Sequence, residues 1–88
     1  AIDVDPRSAA AWNNLGTVHA RREEFAEAAG MFLCAVELDS SFADAWFNLG
    51  RAWFATGKSA EARQAFGESA RLGNRAAQSL LSTGNVQP

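Results

Sequence analysis

Apolar and small side chains recur three and four positions apart through Ala11, Trp12, Leu15, Gly16 and His19, and again through Ala28, Met31, Phe32, Ala35 and Val36. This is the period of a helix with one buried face. Polar residues separate the two stretches. Arg22-Glu23-Glu24 reads as the turn between them, and Asp5-Pro6-Arg7-Ser8 precedes the first, with Ser8 placed to cap it. The same order returns further along, where Gly57-Lys58-Ser59 fills the turn, glycine supplying a permissive backbone and Ser59 a cap. No stretch alternates with period two for long enough to make a strand. The pattern predicts an antiparallel helix pair, twice.

The two pairs are copies of one another. Ala11-Trp12-Asn13-Asn14-Leu15-Gly16 recurs as Ala45-Trp46-Phe47-Asn48-Leu49-Gly50, an offset of 34 residues. Laying residues 9–42 on 43–76 leaves eleven identities, among them both tryptophans, both glycines, Ala26/Ala60, Glu27/Glu61, Ala28/Ala62 and Phe32/Phe66. A fixed period of this length marks a solenoid. Trp12-x2-Leu15-Gly16-x2-His19 followed by Ala28-x3-Phe32, and Trp46-x2-Leu49-Gly50-x2-Trp53 followed by Ala62-x3-Phe66, resemble the tetratricopeptide repeat. The resemblance implies an all-α fold of tandem antiparallel helix pairs stacked as an α-solenoid, a right-handed superhelix whose concave groove is lined by the first helix of each pair. His19 and Trp53 stand where that family usually has tyrosine, and Ser40 and Asn74 where it often has proline.

Glycine inside a helix costs roughly 1 kcal/mol relative to alanine, so Gly16 and Gly50 need a reason. With Ala28 and Ala62 they are expected to remove bulk where the helices of a pair approach most closely. The register divides the chain into the end of a preceding repeat (1–8), repeats over 9–42 and 43–73, and a degenerate capping helix with a tail (74–88). In that register Ala1-Ile2-Asp3-Val4 matches the close of a second helix, so the parent protein is expected to continue upstream. Leu80 falls at the tryptophan position, Thr83 at the leucine and Gly84 at the glycine, and Gly84-Asn85-Val86-Gln87-Pro88 reads as a stop.

Composition narrows the function. With 48% hydrophobic and 20% charged residues the chain can build a core, but at 88 residues only a small one. A net charge of -2 gives no electrostatic reason to expect nucleic acid or an anionic membrane, and no run approaches the length of a membrane span. A soluble, cytoplasmic setting is the default expectation. The lone cysteine, Cys34, excludes an internal disulfide and a cysteine-based zinc cluster. His19 lies on the predicted buried face with no ligand partner or nucleophile, and is expected to be structural. Glu27 and Glu61 occur once per repeat, a recurring role rather than an acid/base pair. Phosphate loops and metal-ligand spacings are missing from the sequence. No enzyme, cofactor or metal is expected.

What remains is recognition of a protein or peptide. The resemblance selects the faces of the first helices turned from their partners: Asn13, Asn14, Thr17 and Arg21, then Asp44, Phe47, Asn48, Arg51 and Phe54. Phe47, Arg51 and Phe54 lie at i, i+4 and i+7, on one helix face. Aromatic and arginine side chains carry much of the energy in such interfaces, and asparagine amides can hold a peptide backbone. The family's chaperone-tail clamp, built with lysines, is not expected: the single lysine, Lys58, falls in a turn. An alternative is a scaffold that stacks or weakly self-associates, since Met31, Leu33 and Cys34 make the first pair's second helix apolar around more of its circumference than Ala65, Gly67 and Glu68 make the second's.

Overall fold

The computed structural model describes residues 5–83. Five helices run in order through these residues, with no strand among them: α1 Ala9–Arg21, α2 Phe25–Leu38, α3 Ala43–Ala55, α4 Ser59–Arg71 and α5 Arg75–Thr83. Each packs against the next, α1 on α2, α2 on α3, α3 on α4 and α4 on α5. The proposed features over residues 1–4 and 84–88 lie outside the described residues.

The start of each repeat is built the same way. Asp5 Oδ1 accepts from the Arg7 N–H at 2.9 Å, and 34 residues later Asp39 Oδ1 accepts from the Ser41 N–H at 3.1 Å. These aspartate turns set the chain's direction into α1 and α3. Trp12 Nε1 then donates to the Pro6 carbonyl at 3.2 Å and Trp46 Nε1 to the Ser40 carbonyl at 2.9 Å. A backbone carbonyl takes the bond in both, so serine serves at position 40 as well as proline does at 6. Ser8 caps α1, its Oγ accepting from the Ala11 N–H. Glu27 and Glu61 fall in the first turns of α2 and α4, where a carboxylate meets the positive end of the helix dipole.

The tight turns use a different device, repeated three times. At the end of α1 the Glu23 N–H bonds the Ala20 carbonyl and the Glu24 N–H the His19 carbonyl. Gly57 and Lys58 do the same after α3, and Gly73 and Asn74 after α4. This paired closure needs a left-handed residue at its corner. Glu23, Gly57 and Gly73 adopt it, with φ of 61°, 86° and 101°. The next helix starts at once, so Ser59 sits inside α4 rather than before it. Lys58 takes the N-cap position without a side-chain bond, which corrects the expectation of a serine cap there.

The third use of that turn shifts the register of α5. The link from α4 lacks the aspartate turn and is one residue shorter than that from α2 to α3, and α4 is itself one residue shorter than α2, so the register moves by two. The Gln78 N–H bonds the Asn74 carbonyl as the Trp46 N–H bonds that of Phe42, and Ala77 is fully buried as Ala45 is. Gln78, not Leu80, therefore stands at the tryptophan position, with its amide donating to the Ala70 carbonyl at 3.0 Å. Leu81 rather than Thr83 takes the place of Leu49.

The core runs along the stack. Ala28, Phe32, Ala35 and Val36 of α2 meet Ala45, Leu49 and Ala52 of α3, and Ala65 of α4 joins the same cluster. Ala62 and Phe66 continue it, covered by Phe47, Trp53, Leu80 and Leu81. Ser69, the one buried polar side chain among the described residues, donates to the Ala43 carbonyl at 2.7 Å and so ties α4 to the start of α3.

Candidate functional site

Two hollows lie side by side along the first helices, and they are the same slot used twice. The first, about 570 Å³, is walled by α1 and α3 over a floor that includes Phe32. Thr17, Ala20, Arg21, Asn48, Arg51, Ala52 and Ala55 face it, with Phe25 at one end. The second, about 510 Å³, is walled by α3 and α5 over Phe66, and is faced by Phe47, Arg51, Phe54, Ala76, Ser79 and Leu80. Phe32 and Phe66 are equivalent residues, as are Thr17 and Arg51, and Ala20 and Phe54. In the register of α5 the counterpart of Asn48 is Leu80. One architectural slot is thus lined by small and polar groups in its first use and by aromatic and aliphatic groups in its second.

The nine residues selected from the sequence divide among several places. Thr17, Arg21, Asn48 and Arg51 come together in the first hollow, and Phe47, Arg51 and Phe54 in the second. Asn13 lines neither. Its Oδ1 accepts from Asn48 Nδ2 at 3.1 Å, a bond between α1 and α3, and its carbonyl accepts from Thr17 Oγ1 at 3.0 Å. Asn48 keeps its own Oδ1 and a second N–H available. Asp44 accepts from Asn74 Nδ2 at 3.2 Å at the start of α5. Asn14 is exposed and borders neither hollow. Phe47 is half-buried with its ring centroid 5.5 Å from that of Phe66, while Phe54 is 44% exposed. Of the two aromatics, Phe54 is the one with surface to offer.

Arg51 is the hinge of the arrangement. It borders both hollows, and its guanidinium carbon lies 5.9 Å from the centroid of the Phe47 ring, within reach of a cation–π attraction that limits where it points. Sequence reasoning missed the floor and the far wall. Phe25 and Phe66 belong to second helices, and Ala76, Ser79 and Leu80 belong to a helix whose register is not that of its predecessors.

The chemistry-bearing residues elsewhere are structural or solitary. His19 Nδ1 lies 2.8 Å from Glu24 Oε1 across the α1–α2 turn, so the imidazole is a half-buried tie with a carboxylate partner rather than a packed core residue. Cys34 is free and half-buried. Among the described residues no group of His, Cys, Asp and Glu could hold a metal ion, and no helix is long and apolar enough to cross a membrane.

Consecutive helix pairs with a groove along their first helices define a helical-repeat protein of the solenoid class. The family model described as tetratricopeptide repeat matches residues 1–41 and again 24–78, and the chain belongs to that family. No curated protein matches its sequence. Tetratricopeptide repeats are generally protein-interaction modules and typically non-catalytic.

Proposed function

We propose that this chain binds a peptide or partner protein in the groove formed by its two hollows, and performs no chemistry of its own. The observation that carries this reading is the pair of adjoining hollows on one face, in which Arg51 and the exposed ring of Phe54 stand beside Arg21 and Asn48. A stack that needed these groups only for packing would bury them, as it buries Phe32 and Phe66.

The test is affinity capture from lysate of source cells with the chain, with an Arg51→Ala/Phe54→Ala variant, and with a Leu33→Ser variant on the opposite side. Phe47 is left intact because it packs on Phe66. All three are first shown to be folded by circular dichroism. A partner held by the parent and by Leu33→Ser but lost by Arg51→Ala/Phe54→Ala supports the groove. A partner lost only by Leu33→Ser supports the alternative, a scaffold surface, which rests on the exposure of Leu33 (37%) and Leu38 (46%) on α2.

A further inference from the structure

The groove reading leaves the chemistry of the occupant open, and the charges in the groove narrow it. The chain carries 10 acidic against 8 basic residues, yet no Asp or Glu lines either hollow, while Arg21 and Arg51 both line the first. Among the described residues neither arginine makes an ion pair, whereas Arg7 and Arg71 each have a carboxylate partner. A net-negative protein has thus kept its acids out of both hollows and left two guanidinium groups there without carboxylates. Beside them lies a hollow whose walls are mainly aromatic and aliphatic.

We propose that the occupant is an extended, acidic peptide segment with a large apolar side chain within about three residues of its carboxylate. This rests on the groove being the docking face. The carboxylate sits between Arg21 and Arg51, where planar guanidinium groups can each offer two parallel N–H donors. The apolar side chain enters the neighbouring hollow against Phe54, Phe66 and Leu80. The two hollows flank α3 and share Arg51, so the acid and the apolar group are separated by about the 10 Å width of one helix, a span that about three residues of extended chain cover. Arg51, held by the Phe47 ring at the boundary of the two hollows, fixes the spacing between the acid and the apolar group. A nucleic acid fits less well: two arginines are a small phosphate footprint, and no lysine lies on α1 or α3.

Random dodecapeptides displayed on phage, selected on the immobilised chain, are the probe. The expected result is enrichment of Asp or Glu within three positions of Leu, Ile, Phe or Trp. A synthetic consensus peptide then binds about tenfold more weakly to Arg21→Gln and to Arg51→Gln, as loss of a charge-assisted bond implies. It also binds more weakly to Phe54→Ala and in raised salt, and equally well to the Lys58→Gln control. Enriched peptides without acids, whose binding still falls in Phe54→Ala, overturn the acidic occupant and leave the groove standing. Peptides whose binding no groove variant alters overturn the groove itself, and failure to enrich any peptide overturns both. Equal competition by a twelve-nucleotide oligothymidine overturns the peptide assignment in favour of a general polyanion.

Discussion

Gly16 and Gly50 are required by a ring. A Cβ built on Gly16 would stand 2.6 Å from two atoms of the Phe32 ring, and one on Gly50 2.8 Å from the equivalent atoms of Phe66. Both rings are 2% exposed, and an added methyl must displace each of them from its packed position toward the hollow that it floors. The helix-propensity gain of Gly50→Ala, about 1 kcal/mol, is therefore outweighed by overpacking of about 1–3 kcal/mol. We expect Gly50→Ala to lower the melting temperature, and Gly50→Ala/Phe66→Leu to lose less than the sum of the two single changes. Gly67→Ala supplies the opposite sign. It lies in the same pair of helices, but nothing stands within 4 Å of its added Cβ. That variant should melt higher, by several degrees for each kcal/mol gained. A melt in which both alanines act alike would show that the ring contact does not decide the matter.

At the scale of the element, three tight turns share one construction but not one residue. Glutamate at position 23 holds the left-handed corner that glycine holds at 57 and 73. A side chain there costs about 1–2 kcal/mol. Glu23→Gly should consequently raise the denaturation midpoint, and Gly57→Ala should lower it, both read from urea unfolding with unchanged slope. Asn74 has two tasks, since its Oδ1 accepts from the Ala77 N–H at 2.9 Å and its Nδ2 donates to Asp44. Asn74→Ala removes a cap of about 1 kcal/mol and the tie between α5 and α3 together. Amide exchange should quicken throughout α5 in that variant while α1 to α3 keep their protection. Uniform quickening would mean that α5 unfolds only with the rest.

For the whole molecule, stability in a stack is a sum over neighbours. α2 and α3 are packed on both sides and supply most of the central core, whereas α5 rests on α4 and has Ala77 as its one buried residue among those described. Hydrogen exchange should grade accordingly, slowest in α2 and α3 and fastest in α5. The exposed Leu33 and Leu38 set a second expectation at this scale. If the α2 surface drives association, light scattering will give a mass that rises with concentration and that falls back in Leu33→Ser.

The sequence by itself determined the helix pairs, their number within the repeat and the identity of the residues that recur. These follow from local spacing and from the period of 34, which require no knowledge of distant contacts. It also singled out Arg51 and Phe54, because two residues three positions apart on a helix share a face whatever the helix packs against. Tertiary structure alone decided what those faces meet. That Gly50 faces a phenyl ring, that Asn13 spends its amide oxygen on Asn48, and that Asp44 holds the start of α5 are all relations between residues 16 to 35 positions apart. The register of α5 was hidden for a related reason. A constant period assumes a constant linker, and the turn after α4 replaces the aspartate turn by a shorter closure on Gly73, which brings Leu80 into the groove and Leu81 into the core.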